Sequence, residues 1–318
     1  MLSRVAESLY WMARYLERAE HTSRLIAVKL ESMIEQTPID AEASWIRVVA
    51  AMSSTEYVTE EPDAFAITRA LAFERRNPSS LISSLEAARE NARQVREQLS
   101  TEVWEHLNRL YLRLQPITME GMWVHQPARL FRETLQELQT LEGVTFSTLS
   151  HGEGWWFLEL GRYIERAQLV SRLLDIHFGP VAPGYTVPPP APKYFDWLVL
   201  LKLCTAFEPY CKAHTAAILP ERIAEFLLFN AEFPHSVRFA VDRVREALAH
   251  VAPGAPPARR ALCERLAGRL KASVDFGQVD DLMGGSIDTF LVDISHQCEQ
   301  IHGAIFSAYI TYGAETVL

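Results

Sequence analysis

The sequence lacks the short motifs by which most nucleotide-binding, redox and hydrolytic enzymes are recognised. Its 318 residues contain no P-loop, GxGxxG, HExxH, GxSxG or CxxC pattern. The four cysteines stand at spacings that do not suit a zinc site, and no histidine pair at metal-ligand spacing accompanies them. We therefore expect no metal, no cofactor, and four reduced thiols of the kind found in cytoplasmic proteins.

Positive charge and long apolar runs are also scarce. The chain has 31 Lys and Arg residues against 40 Asp and Glu residues, a formal net charge of −9. This disfavours binding to nucleic acid, because phosphate backbones require clustered basic residues. The most apolar stretch, Trp197–Phe207, is too short to span a bilayer and contains Lys202, and the chain begins without the apolar core of a secretory signal. These absences predict a cytoplasmic protein that acts neither on nucleic acid nor in a membrane.

What the chain does contain is a charged phrase that occurs twice. The sequence RYLERAEHTSRLI begins at Arg14, RYIERAQLVSRLL begins at Arg162, and eight of the thirteen positions are identical. Three weaker matches follow in the same order: WIRVVAAMSSTE with WLVLLKLCTAFE, FERRNPSSL with FNAEFPHSV, and EGVTFS with HGAIFS. The separation grows from 148 residues for the first match to 160 residues for the last. Their common order indicates an internal duplication of the whole chain.

The remaining patterns are helical. No segment alternates apolar and polar residues over the length of a strand, and no Asn-Gly or Asp-Gly hairpin turn occurs. Helix breaks are expected at prolines, above all in GPVAPGYTVPPPAPK, whose six prolines exclude a helix. We therefore predict an all-α helical bundle built from two internally duplicated, pseudo-symmetric halves. These are residues 1–148 and 149–318, packed together as one unit, with a Pro-rich connection at 179–193.

Each copy of the charged phrase gathers its charges on one face of a helix. The first face carries Arg14, Glu17, Arg18, His21 and Arg24; the second carries Arg162, Glu165, Arg166 and Arg172, with Leu169 in place of His21. Three arginines against one glutamate give each face a formal charge of +2, and arginines four residues apart repel each other. The excess positive charge therefore requires a counter-charge from elsewhere.

Three interpretations of these faces are open. In the first, which we favour, the two helices meet and Glu17 pairs with Arg166 while Glu165 pairs with Arg18, since guanidinium and carboxylate groups form bidentate pairs. In the second, the surplus arginines bind a phosphate, a carboxylate or an acidic peptide tail. In the third, both faces are solvated, although Leu169 in the middle of the second face argues against full exposure. The first two interpretations are compatible.

With the phrases YLERAE and YIERAQ in place, the chain resembles the bacterial alpha-E domain family, a helical domain with a characteristic Glu-Arg motif. Here Glu17–Arg18 and Glu165–Arg166 carry that motif, and the resemblance extends over nearly the whole chain. It implies association with an ATP-grasp-type carboxylate–amine ligase, often together with a transglutaminase-like peptidase, in systems that modify peptides. It implies no catalytic residue for the helical domain.

The leading functional hypothesis is an accessory or binding module that acts with an amide-bond-forming ATP-grasp ligase and whose arginine face holds a small anion, a carboxylate or an acidic peptide. The alternative is an enzyme in its own right, a transferase or ligase acting on a peptide carboxylate, with Glu17 or His21 as the acid–base group. A third possibility is a purely structural scaffold. A deep pocket containing Glu17 and His21 would favour the enzyme, whereas a filled charge network would favour the scaffold.

Overall fold

The structure is a computed structural model that describes residues 2–33, 37–58, 62–179, 191–214, 217–251 and 255–310. Among these residues the regular elements are all helices and none is a β-strand, so the all-α prediction is confirmed. The first part of the chain forms α1 (Ser3–Ser32), α2 (Pro38–Ala51), α3 (Ala64–Ala72), α4 (Leu81–Gln94), α5 (Thr101–Leu114), α6 (Met119–Trp123) and α7 (Pro127–Thr148). The second part forms α8 (Glu153–Phe178), α9 (Tyr194–Leu203), α10 (Phe207–His214), α11 (Pro220–Phe229), α12 (Val237–Val251), α13 (Pro257–Phe276), α14 (Val279–Met283) and α15 (Ile287–Ile305).

The helix boundaries follow local chemistry. Asp63 accepts a hydrogen bond from the Ala66 amide at 2.7 Å, and Ser100 accepts one from the Val103 amide at 3.2 Å, so that both residues cap helices. Prolines occupy the first turns of α7, α11 and α13, where a missing amide hydrogen costs no intrahelical bond. Most of the proline-rich connection predicted at 179–193 lies outside the described residues.

Two long central helices, α1 and α8, organise the bundle. Residues near the start of α1 contact residues near the start of α8, and pairs further along follow in the same order, so the two helices run side by side in the same direction. They approach each other closely at Gly161, where an added Cβ atom would lie 2.2 Å from the carbonyl oxygen of Tyr10. Only glycine fits there, because a backbone atom of the other helix fills the space of a side chain.

The other helices surround this pair. α4 and α7 pack against α1, whereas α12 and α15 pack against α8. α5 lies against α4 and α7, and α13 lies against α12 and α15. α2 crosses to contact α8, and α9 crosses to contact α1, so helices of each part of the chain also contact the central helix of the other part. The result buries most of α1 and α8, including charged residues such as Glu17, Glu165 and Arg166.

The predictions for the cysteines and for membrane-spanning segments can be compared with this fold. All four cysteines are free, and Cys204, Cys263 and Cys298 are buried. In the described part of the chain, no helix combines the length and the apolar character needed to cross a membrane.

Candidate functional site

The most conspicuous polar feature is a buried Glu-Arg network between α1 and α8, formed by Arg14, Glu17, Arg18, Glu165 and Arg166. Arg166 binds Glu17 with two parallel hydrogen bonds, from Nε to Oε1 at 2.6 Å and from Nη2 to Oε2 at 2.8 Å. Both side chains are almost completely buried. Burial by itself would raise the pKa of Glu17, but the Arg166 guanidinium outweighs it and lowers that pKa. Glu17 is therefore a carboxylate held by a bidentate partner.

Glu165 is bound by two arginines from the first central helix. Arg14 donates from Nε to Oε2 at 2.6 Å, and Arg18 donates from Nε to Oε1 at 2.7 Å. The second amino group of Arg14 donates to Gln168 at 2.8 Å. Burial would raise the pKa of Glu165, but Arg14 and then Arg18 oppose it more strongly and lower the pKa to about 2. Glu17 meets Arg166 and Glu165 meets Arg18, the two cross pairs of the favoured interpretation.

The other arginines of the two phrases find carboxylates outside the Glu-Arg motif. Arg162 lies 3.0 Å from Glu159 and 3.1 Å from Glu142, and Arg24 binds Glu20 one turn earlier in α1. Arg14, Arg18, Arg24, Arg162 and Arg166 thus face five carboxyl groups, those of Glu17, Glu20, Glu142, Glu159 and Glu165. Burial raises the pKa of Glu20, and Glu159 is also bound by Arg243. Apart from Arg172, the arginines of the two faces find carboxyl partners inside the protein, and the interpretation of a solvated face is wrong.

Arg172 does not join the network. Its side chain is partly buried near the end of α8, and within the described residues no ion pair or hydrogen bond of its guanidinium occurs. The structure therefore brings together seven of the eight residues expected to form the anion site or inter-repeat network, and leaves Arg172 apart.

His21 lies in the same region but without a role in the network. It is buried, and its Nε2 atom has no hydrogen-bond partner in the described structure. Burial first, and the nearby Arg24 second, lower its pKa to about 3, so the imidazole is neutral at physiological pH. An acid–base catalyst requires a pKa near the working pH and access to its substrate. His21 has neither feature in this arrangement.

The space beside Glu17 is small. A cavity of about 20 Å³ is bordered by Glu17, Glu20, Glu142 and Arg162. That volume accommodates roughly one water molecule. A peptide carboxylate could not enter it without moving the helices apart. Among the described residues, no group of three or more His, Cys, Asp or Glu side chains is arranged to hold a metal ion.

Aromatic rings line the arginines of the network. Arg14 lies 5.0 Å from the centre of the Trp11 ring, and Arg166 lies 5.1 Å from that of Tyr163. Such cation–π contacts stabilise a guanidinium group in a site with little water. Trp11 and Tyr163 each stand three positions before the arginine that they cover.

Other partners were missed because they lie far away in sequence. The imidazole Nδ1 of His302 is 3.3 Å from Arg14 and 2.8 Å from the hydroxyl of Tyr10, and Glu142 binds Arg162. A signal for both was present: Glu142 and His302 occupy matching positions of the fourth repeated block. Gln168, which binds Arg14, matches Glu20 in the first phrase.

A second buried polar group, which we call the lysine cluster, lies toward the ends of the central helices and comprises Lys29, Ser44, Arg47, His177 and Asp196. The Lys29 amine contacts the Ser44 hydroxyl, and Arg47 lies 3.2 Å from Asp196. Burial lowers the pKa of Lys29 to about 7. Burial also lowers the pKa of His177 to about 4. Sequence analysis gave no indication of this group.

Comparison with known proteins places these features in a family. The chain is 26% identical over 322 residues to uncharacterized proteins of Mycobacterium bovis and of Mycobacterium tuberculosis. The match covers 95% of this chain and 35% of each relative, so the chain spans about a third of the length of these curated relatives. No solved structure matches it. The Alpha-E family model, described as a predicted alpha-helical domain with a conserved ER motif, matches residues 1–310, and the chain therefore belongs to the Alpha-E family.

Proposed function

We propose that this chain is an accessory helical module, and that it acts with an amide-bond-forming ligase of the ATP-grasp type in a system that modifies peptides. A transglutaminase-like peptidase belongs to the same proposal. The proposal rests on the observation that the residues of the Glu-Arg motif bind one another within the protein: both motif glutamates are buried and bound by arginines. Because these residues are engaged in holding the helices together, we assign the activity of the system to a partner.

The relatives support a modular role. Each mycobacterial protein contains a region similar to nearly all of this chain, yet that region is only about a third of its length. A domain that occurs within longer chains commonly works beside the domains that accompany it. We extend this arrangement to the present chain, with the ligase as the partner.

We further propose that the two halves, residues 1–148 and 149–318, descend from one duplicated unit and are joined by the network. Several contacts support this. Arg18 donates to Ser79 in the turn before α4, and Arg166 donates to the carbonyl of Pro234 in the turn before α12. These two turns are the third pair of repeated blocks. Removing one partner of a buried ion pair is costly, and joining the halves is a role for which such pairs suit well.

An external anion is a weaker candidate for the same arginines. To bind Arg14, Arg18 or Arg166, a carboxylate or phosphate would have to displace Glu165 or Glu17 from a short, buried contact. The enzyme alternative has the same difficulty, since Glu17 is engaged and His21 is neutral. We therefore assign the arginines to the joint between the halves and leave recognition to another surface.

The proposal is tested by expressing the chain with an ATP-grasp-type ligase from the same genome. We expect the two to purify together, and ATP turnover by the ligase with a peptide acceptor to rise severalfold when the chain is added. Purification apart with unchanged turnover would contradict the module. The role of the arginines is tested with Arg18→Gln, because Arg14 still compensates Glu165 in that variant. We expect a lower melting temperature with unchanged ligase binding; a folded variant that no longer binds would assign the arginines to recognition.

A further inference from the structure

One contact between the central helices differs between the two copies of the charged phrase. Arg14 of α1 donates from Nη2 to Gln168 of α8 at 2.8 Å. The residues at the matching positions are Arg162 of α8 and Glu20 of α1. Within the described residues, these two side chains share no hydrogen bond or ion pair, and both border the cavity of about 20 Å³ beside Glu17. A direct contact in one copy is thus matched by a small cavity in the other.

Both side chains at the cavity have hydrogen-bonding capacity left. The Oε1 atom of Glu20 accepts from Arg24, and within the described residues its Oε2 atom accepts no hydrogen bond. The Nη1 atom of Arg162 donates to Glu159, whereas its Nε and Nη2 atoms donate to no described residue. Polar atoms in the interior of a protein are normally paired, either with other protein atoms or with ordered water. One acceptor atom and two donor atoms are therefore available beside this cavity.

The size and the lining of the cavity suit a single water molecule. A buried water needs a space of at least about 10–15 Å³ and two to four polar partners, whereas apolar cavities stay dry. This cavity of about 20 Å³ is bordered by four ionisable side chains, those of Glu17, Glu20, Glu142 and Arg162. Burial raises the pKa of Glu20, and the charge of the nearby Glu142 acts in the same direction. The positive charge of Arg162 disfavours a metal cation at the same place.

We propose that this cavity binds one ordered water molecule, which accepts a hydrogen bond from Arg162 and donates hydrogen bonds to Glu20 and Glu142. The water connects three helices, α8, α1 and α7, and takes the place of the direct contact that Arg14 makes with Gln168. The Glu-Arg network is thereby closed by a protein contact in one copy and by solvent in the other. The inference follows from the cavity and its lining and does not rest on the proposed ligase partnership.

The test is a crystal structure of the wild-type chain at a resolution that shows ordered water. We expect one peak of electron density in the cavity, at about 2.7–3.2 Å from a nitrogen atom of Arg162 and from an oxygen atom of Glu20. A second crystal, soaked in rubidium chloride, distinguishes water from a monovalent cation, because rubidium scatters anomalously. We expect no anomalous signal in the cavity.

Thr145 offers a matched pair of variants. It borders the cavity from α7, and its hydroxyl group is bound to the Leu141 carbonyl within the same helix at 2.7 Å. Thr145→Met adds a longer apolar side chain that fills the cavity, whereas Thr145→Val keeps the size of threonine. We expect the density peak to be absent from Thr145→Met and present in Thr145→Val. Since methionine cannot replace the hydrogen bonds of a water molecule, Thr145→Met should also melt at least about 2 °C below Thr145→Val in circular dichroism.

Two crystallographic results would overturn the proposal: a wild-type cavity without density, or a rubidium signal that assigns the site to a cation. A higher melting temperature of Thr145→Met than of Thr145→Val would also contradict it, because an apolar side chain that fills a dry cavity stabilises a protein. The wild-type crystals decide the question even if Thr145→Met does not fold.

Discussion

The Glu-Arg network and the lysine cluster both place charged groups in the interior beside the central helices. The charges of the two groups are compensated differently. In the Glu-Arg network, Glu17 receives two hydrogen bonds from Arg166 and Glu165 receives one each from Arg14 and Arg18. In the lysine cluster, the Lys29 amine contacts a hydroxyl group, that of Ser44, and the carboxylate of Asp196 is bound by Arg47. One place holds matched ions; in the other, within the described residues, the amine contacts a hydroxyl group while the nearby Asp196 carboxylate is paired with Arg47.

This difference determines which group can change its charge near neutral pH. Arg14 and Arg18 stabilise the carboxylate of Glu165 and keep its pKa at about 2, so that the network stays ionised. Burial disfavours the charged form of the Lys29 amine more than nearby charges favour it, and the pKa of Lys29 falls to about 7. The network therefore keeps its charges near neutral pH, whereas the lysine cluster contains a group that titrates there.

The largest expected effect is the loss of Glu17. In Glu17→Ala, Arg166 stays buried without its bidentate partner, so we expect the free energy of unfolding to fall by about 3–5 kcal/mol in urea denaturation followed by circular dichroism. The control is Glu133→Ala, which breaks an exposed pair with Arg129 and should cost less than about 1 kcal/mol. Equal losses in the two variants would mean that the network does not join the helices.

A second substitution tests the network through the helix spacing. In Gly161→Ala, the new Cβ would lie 2.2 Å from the Tyr10 carbonyl oxygen, so α1 and α8 must move apart beside the network. We expect a loss of about 3 kcal/mol in the free energy of unfolding. Gly268→Ala, where the Cβ meets nothing within 4 Å, should instead stabilise α13 by up to about 1 kcal/mol. A neutral effect of Gly161→Ala would show that the helices are not held at this distance.

The third prediction concerns the lysine cluster. Above pH 7 the folded chain leaves Lys29 neutral while the unfolded chain still binds its proton up to about pH 10.4, so stability rises with pH. We expect this residue to add about 2 kcal/mol to the free energy of unfolding between pH 7 and pH 9. Lys29→Met should remove that increase, whereas Lys202→Met, at an exposed lysine of α9, should retain it. An unchanged pH profile in Lys29→Met would place the amine in a solvated site.

Comparison of sequence and structure shows which of these features could be foreseen. The repeated phrase and its helical spacing predicted two matched helices, and the choice of Glu17 with Arg166 followed from their charges. The partners Glu142 and Glu159 were not foreseen, because spacing within one phrase says nothing about carboxylates on a neighbouring helix or one turn before the phrase. The apparent surplus of arginine therefore left an anion site open as the second of the three interpretations.

The lysine cluster could not be predicted for a related reason. Lys29 and Arg47 each stand alone among apolar neighbours in the sequence, and a single lysine there is usually a surface residue. Their burial depends on α2 and α9 crossing to the opposite central helix, a feature of the packing of the halves. Gly161 is similar, since one glycine inside a helical pattern does not reveal which backbone lies against it.

The smallest expected effect concerns His21, a neutral residue that lies beside the charged Glu-Arg network. His21 has an unpaired Nε2 atom, and the matching position of the second phrase is Leu169. In His21→Leu the unsatisfied polar atom disappears, so we expect a gain of about 1 kcal/mol in the free energy of unfolding at pH 8.

Because the folded-state pKa of His21 is about 3, the unfolded chain alone takes up its proton as the pH falls below about 6.5, and the wild type loses stability there. The advantage of the variant should therefore grow from pH 8 to pH 5 in parallel urea titrations. A constant difference would mean that His21 takes up its proton in the folded chain at the same pH as in the unfolded chain, and at pH 5 the network region would then contain a further cation.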